Sequence, residues 1–176
     1  MDTYLNVPQL PHTGKTVITS TSSVYPGGKG INQAIGASRL GHRVTLIGNV
    51  GSDLDSDNIY RALNENGVET HGVKRCLQTD TGKAYIFVDS NGDSMISILT
   101  GANGIFTPQD ICEKEHLFEN TGYCLIQSEI PLDTMREACR MAHKYHAKTI
   151  VKPSACSSMT REMLADIDII TVSYTH

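Results

Sequence analysis

Apolar positions along this chain fall into short blocks with two periods, and the blocks alternate. Residues 17–24 are rich in Thr, Ser and Val and read as a strand. Residues 31–40 place Ile31, Ala34, Ile35 and Leu40 at helical spacing, and Gly41 ends the run. Residues 44–48 form a short buried strand. Residues 53–66 form a helix with Ile59, Ala62 and Leu63 on one face and Asn66-Gly67 as its stop. Residues 83–89 and 94–99 are β-rich runs joined by Ser90, Asn91, Gly92 and Asp93, a strong hairpin signal. Thr107-Pro108 supplies an N-cap followed by proline at the first helical position. From residue 123 the order is strand (124–127), helix (132–145), strand (148–151), helix (159–165) and strand (167–170). Such alternation with short links predicts an α/β fold, a parallel sheet flanked by helices. Antiparallel β segments at about residues 3–25 and 83–100 are expected to be inserted into a body formed by about 26–82 and 101–171.

Composition narrows the class. At 176 residues the chain can bury one substantial core, so a single domain is expected over 1–176. A formal net charge of −4 argues against a nucleic-acid partner. No apolar run approaches membrane-spanning length, and Asp2, Asn6 and two prolines interrupt any leader-like stretch. The cysteines at 76, 112, 124, 139 and 156 have irregular spacing and an odd count, which suits reduced, mostly buried thiols of a cytoplasmic protein.

The candidate chemistry centres on Gly27, Gly28, Lys29, Gly30, Ile31 and Asn32, a glycine cluster opening into a helix. Glycines there let backbone approach a ligand closely, and the helix start presents free N–H groups. Lys29 adds a charge and Asn32 an amide that both donates and accepts. A polyhydroxylated or anionic small molecule suits such a turn, although a bare Gly-Gly most often marks an ordinary one. No Gly-Lys-Ser/Thr closes the stretch, and Gln33 stands where a dinucleotide fingerprint needs its third glycine. His143 and His146 are three apart on the expected helix, but no Cys or carboxylate completes a metal set, so a solvated face is the favoured reading. The same holds for the basic cluster at 144–148. Cys156, near Ser154 and Ser157, has no evident base.

The run continues through Gln33, Ala34 and Gly41 to Gly48, Asn49, Val50, Gly51, Ser52 and Asp53. As a whole it resembles the first signature of the ribokinase-like (phosphofructokinase B) family of carbohydrate kinases. The resemblance implies a ribokinase-like sheet with an inserted β lid over the sugar site, the lid often being shared between two subunits in a homodimer. It makes Asp2 an acceptor for sugar hydroxyls, with Pro11, Gly14 and Thr16 also matching and Lys15 replacing a glutamate. It makes Gly27, Gly28, Lys29 and Asn32 the sugar-cradling turn. Glu129, in a Gln-x-Glu-x-Pro pattern, matches an acidic sugar contact, while its position alone equally suits a helix N-terminal carboxylate. Ala84, Ile86 and Ile98 match apolar lid contacts that suit a pentose such as ribose, although apolar alternation alone reports strand core. Gly101, Ala102 and Asn103 match the turn after the lid.

The family's ATP- and Mg²⁺-dependent phosphoryl-transfer parts, a Gly-Ala-Gly-Asp motif with its catalytic Asp and a Pro-Asn-x-x-Glu motif, have no counterpart here. The chain instead ends Thr171, Val172, Ser173, Tyr174, Thr175, His176, and Lys152 stands where Asn-Pro often begins. The first strand and the Asn before Asp2 are also expected to be missing. The resemblance thus implies a truncated kinase: a substrate-binding part with no catalytic or metal residue of its own, inert by itself. A non-catalytic sugar-binding module, a nucleoside or fructose-phosphate kinase, and a Rossmann oxidoreductase are the rivals. A phosphorylated substrate calls for extra cations, for which only Lys29 and Lys15 offer themselves.

Overall fold

The computed structural model describes residues 1–153 and 160–172. Nine strands and five α-helices follow in the order β1 (Asp2–Asn6), β2 (Thr21–Tyr25), α1 (Lys29–Arg39), β3 (Thr45–Val50), α2 (Leu54–Glu65), β4 (Glu69–Arg75), β5 (Lys83–Val88), β6 (Ser94–Leu99), α3 (Pro108–Cys112), β7 (Tyr123–Gln127), α4 (Leu132–Lys144), β8 (Lys148–Lys152), α5 (Arg161–Ala165) and β9 (Ile169–Ile170). Short 3-10 turns occupy Gly101–Ile105 and Glu115–Phe118. Among the described residues no helix is long and apolar enough to cross a membrane.

The body is parallel. β3 pairs with β4, and β7 with β8 and β8 with β9, all in the same direction. Its helices begin and end on side-chain chemistry visible in the chain. Asp53 caps α2 by accepting the Ser56 N–H at 3.0 Å, and Thr107 with Asp110 forms a reciprocal capping box on α3. Strand β4 was not foreseen. Its residues are mostly polar, and Gly72 lets it lie close to β3, where an added Cβ would come within 2.5 Å of the Leu46 carbonyl oxygen.

Two apolar clusters hold this body. Ala34, Val50, Ile59, Leu63 and Val68 pack between α1, α2, β3 and β4. Phe106, Ile111, Phe118, Ile126, Met135, Cys139, Met141, Val151 and Met163 fill the other side, centred on α4. Burial of each such side chain contributes about 1.5–3 kcal/mol.

The second sheet has the order β2-β1-β5-β6. It departs from expectation in one way: β1 and β5 run parallel, so the sheet is mixed and not purely antiparallel; only β1–β2 and β5–β6 are antiparallel. The hairpin between β5 and β6 forms as the sequence predicts, with Gly92 at φ 86° and its N–H donated to the Asp89 carbonyl at 3.1 Å.

Thiol placement also differs from expectation. Only Cys139 is fully buried among the described cysteines, while Cys76, Cys112 and Cys124 are half-buried, and all four are free. His146 lies beyond the end of α4 with φ 60°, so it does not share a helix with His143, which instead meets Asp168 at 3.1 Å. Lys144 pairs with Glu115. Cys156, Ser154, Ser157 and the tail 173–176 lie outside the described residues.

Candidate functional site

Register across the second sheet places the candidate residues. Tyr25, Asp2, Ala84 and Ile98 form one row, and Ser23, Tyr4, Ile86 and Ile96 form the next. Residues paired in register share a face, so Asp2, Ala84, Ile86 and Ile98 all project to one side. That side meets the glycine turn, because the Gly28 N–H donates to Asp2 Oδ2 at 3.2 Å. Tyr4 and Tyr25 lie on the same face with ring centroids 6.1 Å apart, edge to face, and are partly exposed. Tyr85 and Phe87 do not join Ile96 and Ile98 as one apolar surface. They pair with Ser97 and Met95 and therefore point the other way.

The turn itself is tightly specified. Gly28 has φ 105°, a conformation L side chains avoid, and it is the N-cap of α1. Gly27 is buried against the acid: a Cβ there would come within 2.1 Å of Asp2 Oδ2. Both glycines are thus required by geometry. Lys29 begins α1, and Asn32, exposed on its first turn, donates its backbone N–H to the Gly28 carbonyl at 2.9 Å.

Lys29 Nζ forms an ion pair with Glu129 Oε1 across 100 positions of sequence, both side chains about one-third exposed. Glu129 follows β7, at the carboxyl edge of a parallel sheet, where open α/β sheets take ligands. One row back, Gln127 Nε2 donates to Gln33 Oε1 at 2.6 Å, fixing α1 over β7, and Gln127 Oε1 is buried without a hydrogen-bond partner among the described residues. Two carboxylates, an ammonium, the start of a helix and two tyrosines grouped in this way can bind several neighbouring hydroxyls. Charge-assisted hydrogen bonds of this kind contribute about 1.5–3 kcal/mol each.

Lys15 is not part of this arrangement. It lies in the connection from β1 to β2, past the Asn6 end of the sheet, whereas Asp2 is at the opposite end. Lys152, in contrast, ends β8 in register with Gln127 and projects to the same face. Sequence reasoning passed over Tyr4 and Tyr25, whose meeting depends on strand register, and named Gln33 in the signature run without its contact to Gln127. Among the described residues no group of three or more His, Cys, Asp and Glu gathers that could hold a metal.

The mixed lid sheet set on parallel strands flanked by helices is a ribokinase-like fold. The model of the pfkB family carbohydrate kinases matches residues 1–175, and the chain belongs to that family. It is 33% identical over 171 residues to ribokinase of Bacillus subtilis, covering 97% of this chain and 58% of the relative. It is 32% identical over 152 residues to a deoxyribokinase of Salmonella typhi, covering 86% and 49%. Arabidopsis thaliana ribokinase complexed with ribose and ATP superposes with a TM-score of 0.85 at 28% identity, covering 99% of this chain and 57% of that one. The chain therefore spans about half the length of such relatives.

Proposed function

We propose that this chain is the substrate-binding part of an ATP-dependent sugar kinase whose sugar is ribose or a related pentose. The observation that carries the reading is the meeting of Asp2, the Gly27–Gly28 turn and the Lys29–Glu129 pair around the start of α1. Asp2 and Glu129 accept from sugar hydroxyls, Lys29 and the α1 N–H groups donate, Asn32 does either, and Ala84, Ile86 and Ile98 close an apolar side sized for a five-carbon ring. The relatives' printed activities, ribokinase and deoxyribokinase, support the substrate class. ATP and Mg²⁺ would be used by the whole kinase of which this chain is a part. Phosphoryl transfer depends on positioned charge, and loss of one such donor costs about 10²–10³ in rate, so the 176-residue chain alone is expected to be inert.

Titration calorimetry with ribose tests the reading. Saturable binding that Asp2→Asn and Gly27→Ala each abolish supports it; no heat of binding at millimolar ribose, or ribose-dependent ATP turnover by this chain alone, overturns it. A phosphorylated sugar substrate is the second reading, favoured by Lys152 beside Gln127, and tighter binding of ribose 5-phosphate than of ribose would select it. The lid surface supports a homodimer: β6 is an edge strand exposed along its whole length, with Ile96, Ile98 and Leu99 at least half exposed. Sedimentation velocity reads that directly. Free thiols at Cys76, Cys112, Cys124 and Cys139 suit a reducing compartment, the cytoplasm.

A further inference from the structure

Gly51-Ser52-Asp53 closes the signature run, yet nothing in the candidate site uses it. Its carboxylate is turned instead toward the root of the lid. Asp53 Oδ1 accepts the Thr81 hydroxyl at 2.6 Å and Oδ2 accepts the Thr81 N–H at 2.9 Å, while Oδ1 also caps α2 through Ser56 N–H at 3.0 Å. Thr81 is 4% exposed, and its hydroxyl oxygen in turn accepts the Gly51 N–H at 3.0 Å. Gly51 leaves no room for a side chain, since a Cβ would come within 2.3 Å of the Thr81 nitrogen. Around this knot the neighbouring segments are tied as well. Asp55 pairs with Lys83 at 2.9 Å, and the Ala102 N–H donates to the Asp80 carbonyl at 2.9 Å. Gly101 has φ 49° and sits so close to Asp80 that a Cβ would lie 2.5 Å from its carbonyl oxygen.

Both lid strands that follow the body, β5 and β6, leave or re-enter at these residues. Thr81 stands two positions before β5, whose Ala84 is in register with Asp2. We infer that Asp53 is a positioning residue: by clamping Thr81 it fixes the angle of β5 and with it the Asp2–Ala84–Ile98 row above the glycine turn. The inference rests on reading that row as part of a sugar site. A chain with the clamp cut spends part of its time with the row displaced, and apparent sugar affinity falls in proportion to the fraction still in place.

The test uses the chain with Thr81→Val, which keeps the Asp53 cap on α2 but removes the clamp's hydroxyl, together with Asp53→Asn and the conservative Thr81→Ser. Amide exchange and ribose titration are measured on each. Thr81→Val is expected to accelerate exchange in β5 (Lys83–Val88) by roughly tenfold while α4 and β8 keep wild-type rates, and to weaken ribose binding by a similar factor. Thr81→Ser is expected to restore both. Exchange that rises equally in lid and body, or not at all in β5, overturns the inference, as does ribose affinity unchanged in a chain whose β5 has loosened. A wild-type chain that binds no ribose defeats the sugar reading separately, and the exchange pattern alone then decides whether Asp53 positions the lid.

Discussion

On one face of the β7–β8–β9 sheet, Cys124, Ile126 and Val151 belong to the larger apolar cluster beside α4, and Thr149 is buried in the same row as Cys124. On the other face, Tyr123, Leu125 and Ile169 are 61%, 48% and 42% exposed. Alternation along each strand makes both faces apolar, which is the pattern of strands covered on two sides. Among the described residues only one side is covered, apart from the corner of β7 where Gly30 and Gln33 of α1 meet Gln127. The contrast teaches that the hydrophobic pattern records a larger assembly than these residues build, in keeping with a chain that spans 58% of a relative such as the Bacillus subtilis ribokinase.

The sharpest way to break the comparison is to truncate both faces in one unfolding assay. Met141→Ala, at 1% exposure beneath the covered face, is expected to cost about 2–5 kcal/mol, and Leu125→Ala on the bare face less than about 0.5 kcal/mol. Equal losses in urea denaturation would mean that the bare face is covered in solution. A second measurement is surface hydrophobicity: the wild-type chain should bind a fluorescent apolar dye, and Leu125→Lys with Ile169→Lys should cut that signal severalfold without lowering the thermal midpoint.

Acid titration sharpens the covered side. Asp168, just before β9, accepts the Thr149 N–H at 2.8 Å, meets the His143 ring at 3.1 Å and bonds the Thr149 hydroxyl, which together hold its carboxyl down at about 2. An unfolded aspartate titrates near ~3.9, so this contribution is complete above that pH and is lost as pH falls toward about 2. Asp168→Asn should flatten the stability curve across that window; an unchanged curve would disconnect the β8–β9–α4 contact from stability. The smallest expected effect is chemical. Burial pushes the Cys139 thiol up to about 11, and it is the fully buried one among the described cysteines, so it should resist alkylation at pH 8 until the chain unfolds, as peptide mass mapping would reveal.

The body was legible because its signals are local. Asp53 and Asn66 mark the ends of α2, Thr107-Pro108 starts α3, and period-2 runs give β5 through β8. Strand β4 was not, since Glu69–Arg75 is held by a close glycine approach and carries little apolar pattern. The lid's parallel β1–β5 pairing escaped for a different reason: it joins residues some eighty positions apart, and only its register reveals that Tyr85 and Phe87 oppose Ile96 and Ile98. At the site, Lys29 and Glu129 stood out through motif spacing, whereas Tyr4, Tyr25, the Gln33–Gln127 contact and the Asp53–Thr81 clamp emerge only once distant segments meet.

The contact between Gly27 and Asp2 has a consequence for how such chains can diverge. A methyl group at position 27 would occupy the space of the carboxylate oxygen 25 residues away, so neither position is free to drift alone. Any descendant that enlarges 27 must shorten 2 in the same lineage, and the pair should behave as a single evolutionary character.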